Sequence, residues 1–393
     1  MLLSGILPPI TTPFYPDGNV YFKKLESNVE RYSRTPVAGI VVLGSTGESI
    51  MLSDSERRDV LKSARAAVAP NKVLIAGTGI ESAIETLRLT EYAAELGYDV
   101  ALVRTPHFYR KQMQPANILA FYRTVADRSP LPVMIYNVPP FTAYDIPAEV
   151  VIELAGHPNI VAIKESGGDV EKVRKMVEGT KHVKRSASVT ETFEAVTPRM
   201  LAAAASGSGS NGEGGAVLVS VGALAGAESK SPPFDSAQGR PFRKEREGMG
   251  HPQLPEPAAS ASKPSSGAVT VVGSLRTRQK EVGFQVLVGA AQKLHPSLEA
   301  GAVGAILAFA CPAPTTCYEI YTAWKEGDAD LARLKQERIT KAAQRVGSDL
   351  GISGLKYALD WNGYYGGPAR LPLLPLTAEV KAEVEQLMAD LRN

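Results

Sequence analysis

The chain reads as an α/β protein: a (β/α)8 barrel followed by a helical domain, with a low-complexity insertion before the seventh strand. Three observations predict this. Short β-branched runs alternate with longer amphipathic runs through most of the 393 residues. The run IVAIKE, from Ile160 to Glu165, is apolar on both faces, as a parallel strand covered on both sides must be. With the insertion set aside, the repeating part approaches the ~250 residues such barrels need.

The elements follow in order. Residues 1–183 hold six strand–helix units: GILPPIT with a helix near Tyr21 to Arg34, then GIVVLG from Gly39, VLIAGTG from Val73, VALVRTP from Val100, PVMIYNVPP and IVAIKE, each followed by its helix. Ser53 and Glu56 have capping-box spacing, and Val60, Leu61, Ala64, Ala67 and Val68 then share a helix face. Asp169, in SGGDV, is placed to cap the sixth helix. Within IVAIKE, strand alternation puts Ile160, Ala162 and Lys164 on one face. Residues 184–280 are dominated by Ala, Ser, Gly and Pro, in passages such as SGSGSNGEGG and PPFDSAQGRPF, and are expected to be mobile. The rhythm resumes over 281–313 with FQVLVG and AVGAILAFA, which supply strands seven and eight. Residues 314–393 are helical; Leu331, Leu334, Ile339 and Ala342 mark one apolar face, and Val380, Val384, Leu387 and Leu391 another.

Composition narrows the function. With 43 basic and 41 acidic residues in a mixed pattern, the net charge of +2 points to neither a nucleic-acid nor a membrane surface. No apolar run reaches the ~18 residues of a membrane span. Cys311 and Cys317 have no further cysteine or histidine near them, and the five histidines lack ligand spacing, so neither a disulfide framework nor a metal is expected. No cofactor is expected either. The N-terminus lacks a basic region before its prolines, which argues against a signal peptide and for a cytoplasmic setting. Gly207, Gly209 and Gly212 match GxGxxG by letter, but no strand precedes them, so the match is discarded.

In these barrels the working residues gather at the C-terminal ends of the strands. Lys164 ends strand six; a lone lysine there more often snorkels to water or pairs with a carboxylate. Its neighbours change the odds. Strand five ends at Tyr136, and strand two runs into Gly44, Ser45, Thr46, Gly47 and Glu48, so a phenol, two hydroxyls and turn amides converge with the amine. Hydroxyls and amides in a tight turn suit a carboxylate, the phenol can relay protons, and a neutral lysine attacks a ketone to give an imine.

The motifs GSTGE at Gly44, YNVPP at Tyr136 and IKES at Ile163, with HPNIVAIKESGGDV, FQVLVGAAQ and DWNGYYGGPARLPL, resemble the dihydrodipicolinate synthase and N-acetylneuraminate lyase family over roughly three quarters of the chain. That resemblance implies a TIM barrel with a C-terminal helical domain, assembled as a homotetramer or homodimer and acting on a small pyruvate-type 2-oxo acid. It gives Lys164 the role of the imine-forming lysine, and Tyr136 with Ser45 that of the proton relay. Thr46, Ser166, Gly289, Ile306 and Phe141 then line the substrate pocket. Two departures bear on the substrate. Phe141 stands where the synthases carry an arginine for the carboxylate of aspartate semialdehyde, and Phe108 replaces a tyrosine that completes the relay across a subunit contact, with Tyr109 beside it. The HPNIVAIKESGGDV and DWNGYYGGPAR passages, with no arginine after YNVP, look most like the 4-hydroxy-2-oxoglutarate aldolase branch, so cleavage of 4-hydroxy-2-oxoglutarate to pyruvate and glyoxylate is the favoured expectation. Dihydrodipicolinate synthase is the alternative, and a catalytically silent binding module a further one.

Overall fold

The computed structural model describes residues 1–206, 217–219, 269–272 and 275–391. Its strands are β1 (Gly5–Ile6), β2 (Gly39–Val42), β3 (Val73–Gly77), β4 (Val100–Arg104), β5 (Val133–Asn137), β6 (Ile160–Glu165), β7 (Arg185–Thr190), β8 (Val217–Val219), β9 (Val269–Val272), β10 (Leu275–Val282), β11 (Gln285–Val288) and β12 (Gly304–Ala305). The helices before the insertion are α1 (Phe22–Ser33), α2 (Asp54–Ala67), α3 (Ala83–Glu95), α4 (Pro115–Arg128), α5 (Pro139–Thr142), α6 (Ala148–Ala155) and α7 (Val170–Gly179). Within it lies α8 (Pro198–Ser206), and after it come α9 (Leu294–Glu299), α10 (Pro314–Lys325), α11 (Ala329–Ala342), α12 (Gly351–Trp361) and α13 (Ala378–Met388).

Eight strands form one sheet in the order β1-β12-β11-β6-β5-β4-β3-β2. Every pair in it is parallel. The ring closes where β1 meets β2: Pro9 bridges Val41, and the amides of Ala38 and Ile10 donate to the carbonyls of Ile6 and Val41, each at 2.9 Å. The strands are apolar on both faces because both are buried. Leu7, Val41, Ile75, Leu102, Met134, Leu287 and Ile306 fill the lumen. Ile40, Leu74, Ile135, Ile163 and Val286 pack under the outer helices. The capping box of Ser53 and Glu56 is formed at α2, and Asp169 accepts from the amides of Glu171 and Lys172 at the start of α7.

Four expectations are corrected. The register shifts between Val133 and Met134, so Val161 and Ala162 both join the lumen layer while Ile160 turns to the helices. Ile160 therefore does not share the face of Ala162, because a bulge breaks strict alternation. Second, α10 packs against β1 as an outer helix of the barrel, so the helical appendage starts beyond residue 314. Third, on α11, Leu331 and Leu334 are exposed while Ala332 and Gln336 are buried beside Ile339 and Ala342.

The fourth concerns the stretch 184–280, which is ordered at both flanks. β7 pairs antiparallel with β10 from Arg185–Val282 to Thr190–Thr277, β10 pairs with β9, and β9 with β8. The period-2 pattern of RSASVT explains this: Ala187 and Val189 point inward and pack with Val282 and Leu2. Arg185 donates to the carbonyls of Ala155 and His157, each at 2.8 Å. Arg199 donates to the carbonyls of Pro70 and Lys72 and pairs with Asp99 at 3.1 Å. These bonds hold the inserted sheet against the N-terminal end of the barrel, and Met200 reaches the lumen layer as part of its floor. A cavity of about 770 Å³ lies there, lined by Lys72, Phe193, Glu194, Tyr318 and Tyr321 among others. The remainder of the stretch expected to be mobile, at 207–216, 220–268 and 273–274, lies outside the described residues. Among the described residues no helix is long and apolar enough to cross a membrane.

Candidate active site

Register places the central pair. Lys164 on β6 lies directly across from Tyr136 on β5 and from Leu287 on β11. Its side chain enters the lumen at the C-terminal end of the strands, and the residue is only 4% exposed. The Lys164 Nζ sits 4.2 Å from the centroid of the Tyr136 ring, within cation–π range. On the far side of the phenol, the Ser45 Oγ is 3.3 Å from the Tyr136 hydroxyl. Amine, ring and two hydroxyls therefore stand in one continuous group drawn from β6, β5 and the end of β2.

The turn after β2 is sharp. Leu43 has φ 61°, Ser45–Gly47 form one 3-10 turn, and Glu48 has φ 53°. Left-handed backbone at two non-glycine residues is strained and is kept only where neighbours enforce it. The first amides of such a turn have no partner inside it, and Thr46 is buried beside them. A carboxylate fits hydroxyls and amides so arranged.

The remaining predicted residues fall into two sets. Ser166, Gly289 and Ile306 line the same end of the barrel. The Gly289 amide donates to the Glu165 carbonyl at 2.7 Å, and the Ile306 amide to Val288 at 2.9 Å. A Cβ on Gly289 would collide with the Ser166 side chain, so only glycine lets these loops approach so closely. Phe141 on α5 is 63% exposed. Phe108 and Tyr109 pack edge to face on each other with 5.2 Å between centroids, and both rings are exposed, away from the Lys164–Tyr136 pair within one protomer.

Sequence reasoning missed the polar frame behind this group. Glu165 points away from Lys164 and is buried. It accepts from the Asn137 Nδ2 at 2.8 and 3.0 Å and from the Gly167 amide at 2.6 Å, and it pairs with Lys172 at 3.2 Å. Burial holds its carboxyl above the ordinary value, with Lys172 pulling the other way. The Asn137 Nδ2 also donates to Asp145, and its Oδ1 accepts from the Ile146 amide, which ties the ends of β5 and β6 together. Glu48 and Lys356 form a buried pair at the end of the Ser45 turn, and the backbone amide of Arg370 donates to Glu48. The available signal was a charge inside an apolar run: Glu165 closing IVAIKE and Lys356 in GISGLKYAL. Burial raises the thiol of Cys311 far above its ordinary value and that of Cys317 to about 12, so neither is a thiolate nucleophile.

A closed (β/α)8 barrel with an amine buried at the end of its sixth strand, facing a phenol, defines the class. Comparison with known proteins then gives the family. The model of the dihydrodipicolinate synthetase family matches residues 2–212 and 258–391, and the chain belongs to that family, whose members are carbon–carbon lyases. A 4-hydroxy-tetrahydrodipicolinate synthase from Xanthomonas axonopodis pv. citri (strain 306) is 43% identical over 177 residues, which are 45% of this chain and 58% of that protein. One from Methanococcoides burtonii is 37% identical over 179 residues, 46% of this chain and 60% of that protein. The chain thus spans about three fifths of the length of these relatives. Among solved structures, a dihydrodipicolinate synthase from Bacillus anthracis covers 99% of both chains at 21% identity with a TM-score of 0.70. A prophage protein of the same family from E. coli K12, in complex with pyruvate, covers 100% of this chain and 99% of its own at 22% identity with a TM-score of 0.69. At these identities the two structures share the fold.

Proposed function

We propose that this chain is a class I lyase in which Lys164 forms an imine with C2 of pyruvate or of a pyruvate-derived 2-oxo acid. The observation that carries the reading is the Lys164 amine, buried 4.2 Å from the Tyr136 ring whose hydroxyl meets Ser45 at 3.3 Å. In the first step the amine adds to the ketone, Tyr136 and Ser45 move the proton, and water leaves. The Ser45–Thr46 turn holds the carboxylate beside the imine. The cationic nitrogen then takes up the electron pair of a bond at C3: loss of a C3 proton to the Tyr136–Ser45 pair gives an enamine that attacks an aldehyde, whereas breaking of C3–C4, with the C4 hydroxyl giving up its proton, leaves the same enamine and an aldehyde.

The sequence favoured cleavage of 4-hydroxy-2-oxoglutarate. The relatives named 4-hydroxy-tetrahydrodipicolinate synthase support the alternative better, so condensation of pyruvate with aspartate semialdehyde is the leading reaction. Cleavage stays as the second reading because Phe141 stands where the resemblance places an arginine for the carboxylate of aspartate semialdehyde. Assembly as a homotetramer or homodimer belongs to the same proposal, since the exposed Phe108 and Tyr109 rings would be covered by a neighbouring subunit.

Borohydride reduction in the presence of pyruvate tests the imine: a mass increase is expected on the peptide carrying Lys164, and an unmodified peptide would sink the mechanism. Product assays with aspartate semialdehyde and with 4-hydroxy-2-oxoglutarate separate the two reactions. Phe141→Arg is expected to raise the first activity relative to the second. Labelling without any turnover would instead favour a silent binding module.

A further inference from the structure

We propose that the buried ion pair between Glu48 and Lys356 positions the Ser45–Thr46 turn, so that the C-terminal helical domain sets how tightly the site holds a substrate carboxylate. The proposal deepens the pyruvate reading above and rests on it. Glu48 closes the GSTGE turn in left-handed backbone, a conformation that its neighbours must enforce. The enforcing contacts come from far along the chain. Its Oε1 is 2.6 Å from the Lys356 Nζ, and each side chain is 1% exposed. Its Oε2 accepts from the Arg370 amide at 2.9 Å.

Lys356 is tied in turn to the segment after β1 and to the loop after α12. From α12 its ammonium donates to the carbonyls of Thr12 and Pro368 at 2.9 and 2.8 Å, and it lies 4.3 Å from the centroid of the Phe14 ring. The Thr12 hydroxyl donates to the Gly47 carbonyl at 2.6 Å, which returns the chain of bonds to the turn itself. One ammonium thus joins three oxygens: the turn's carboxylate, the segment after β1, and the loop after α12. A buried pair of this kind is a poor source of net stability, since an apolar replacement of equal volume often serves as well. Its use is to fix geometry, and the geometry fixed here is that of the residues three and two positions before Glu48.

The test is the concentration of pyruvate that half-saturates borohydride labelling of Lys164. Lys356→Met and Glu48→Gln are each expected to raise it about tenfold, the loss of roughly one hydrogen bond to a charged group. Labelling at saturation should stay within about threefold of the wild type, because the amine itself is untouched. The double variant, which removes both charges together, should bind pyruvate more tightly than either single one. Met388→Ala in α13, which loses a buried side chain of the same domain, should lower the melting temperature and leave half-saturation unmoved. Should Lys356→Met fail to fold, Glu48→Gln carries the same measurement. A folded single variant that labels at the wild-type half-saturation overturns the positioning role, as does an equal shift in Met388→Ala. A wild-type protein that takes no label overturns the functional reading and this proposal with it.

Discussion

Lys164 shows why one residue cannot be read alone. An ammonium at a buried strand end pairs, reaches water or loses its proton, and nothing in its own letter decides among these. Its nearest neighbours are a π face and a lumen leucine, while the carboxylate beside it in sequence, Glu165, is turned to the opposite side and engaged by Asn137, Gly167 and Lys172. Lys164→Ala is expected to abolish borohydride labelling and turnover while leaving the fold intact. Tyr136→Phe keeps the ring under the amine but removes the hydroxyl that meets Ser45. Turnover is then expected to fall by about 10²-fold or more while labelling persists at high pyruvate. Loss of labelling as well, at saturating pyruvate, would mean that the phenol is needed to form the imine and not only for the steps after it.

Among elements, the strands are held by the lumen layer and the loops by charges that reach between domains. Leu287 on β11 is fully buried beside Lys164, so Leu287→Ala is expected to cost about 2–5 kcal/mol in a denaturant titration. Arg370, in the loop after α12, donates to the carbonyls of Gly18 and Met51 and forms a two-pronged pair with Glu56 of α2. That pair lowers the Glu56 carboxyl from 4.5 to about 2. An acid whose folded value is depressed adds stability above its unfolded value and loses it as the pH falls toward the folded one. The melting temperature of Glu56→Gln should therefore lie below that of the wild type above about pH 4.5, with the gap closing between about pH 4.5 and 2. A gap that is constant across this range would show that the pair does not titrate as described.

For the whole molecule, the described part of the insertion and the site lie at opposite ends of the barrel. β7 and β10 emerge between α7 and β11, so their sheet covers the N-terminal end, whereas Lys164 faces the C-terminal one. Deleting residues 184–280 is expected to lower the melting temperature, because Met200 and the Arg199–Asp99 pair leave the barrel floor, while pyruvate labelling of Lys164 survives. Ends at 183 and 281 can be joined by an ordinary loop. Loss of soluble protein would mean that the floor is needed to close the barrel.

The sequence by itself determined the βα rhythm, the strand that carries Lys164, the caps at Ser53 and Asp169, and the convergence of Tyr136 and Ser45 at one mouth. These are local signals, set by periods of 2 and 3.6 and by the rule that barrel loops gather at the C-terminal ends of strands. Only the tertiary structure decided that a bulge at Val161 turns Ile160 outward, that RSASVT belongs to a sheet closing the floor, and that Leu331 and Leu334 face solvent. It also decided that Glu48, Lys356 and the backbone amide of Arg370 meet at the end of the Ser45 turn. Register, the pairing of distant strands and the burial of a charge depend on contacts between residues far apart in sequence. No local period encodes such contacts, and for that reason the meeting of Lys164, Tyr136 and Ser45 was legible in the sequence while the frame behind them was not.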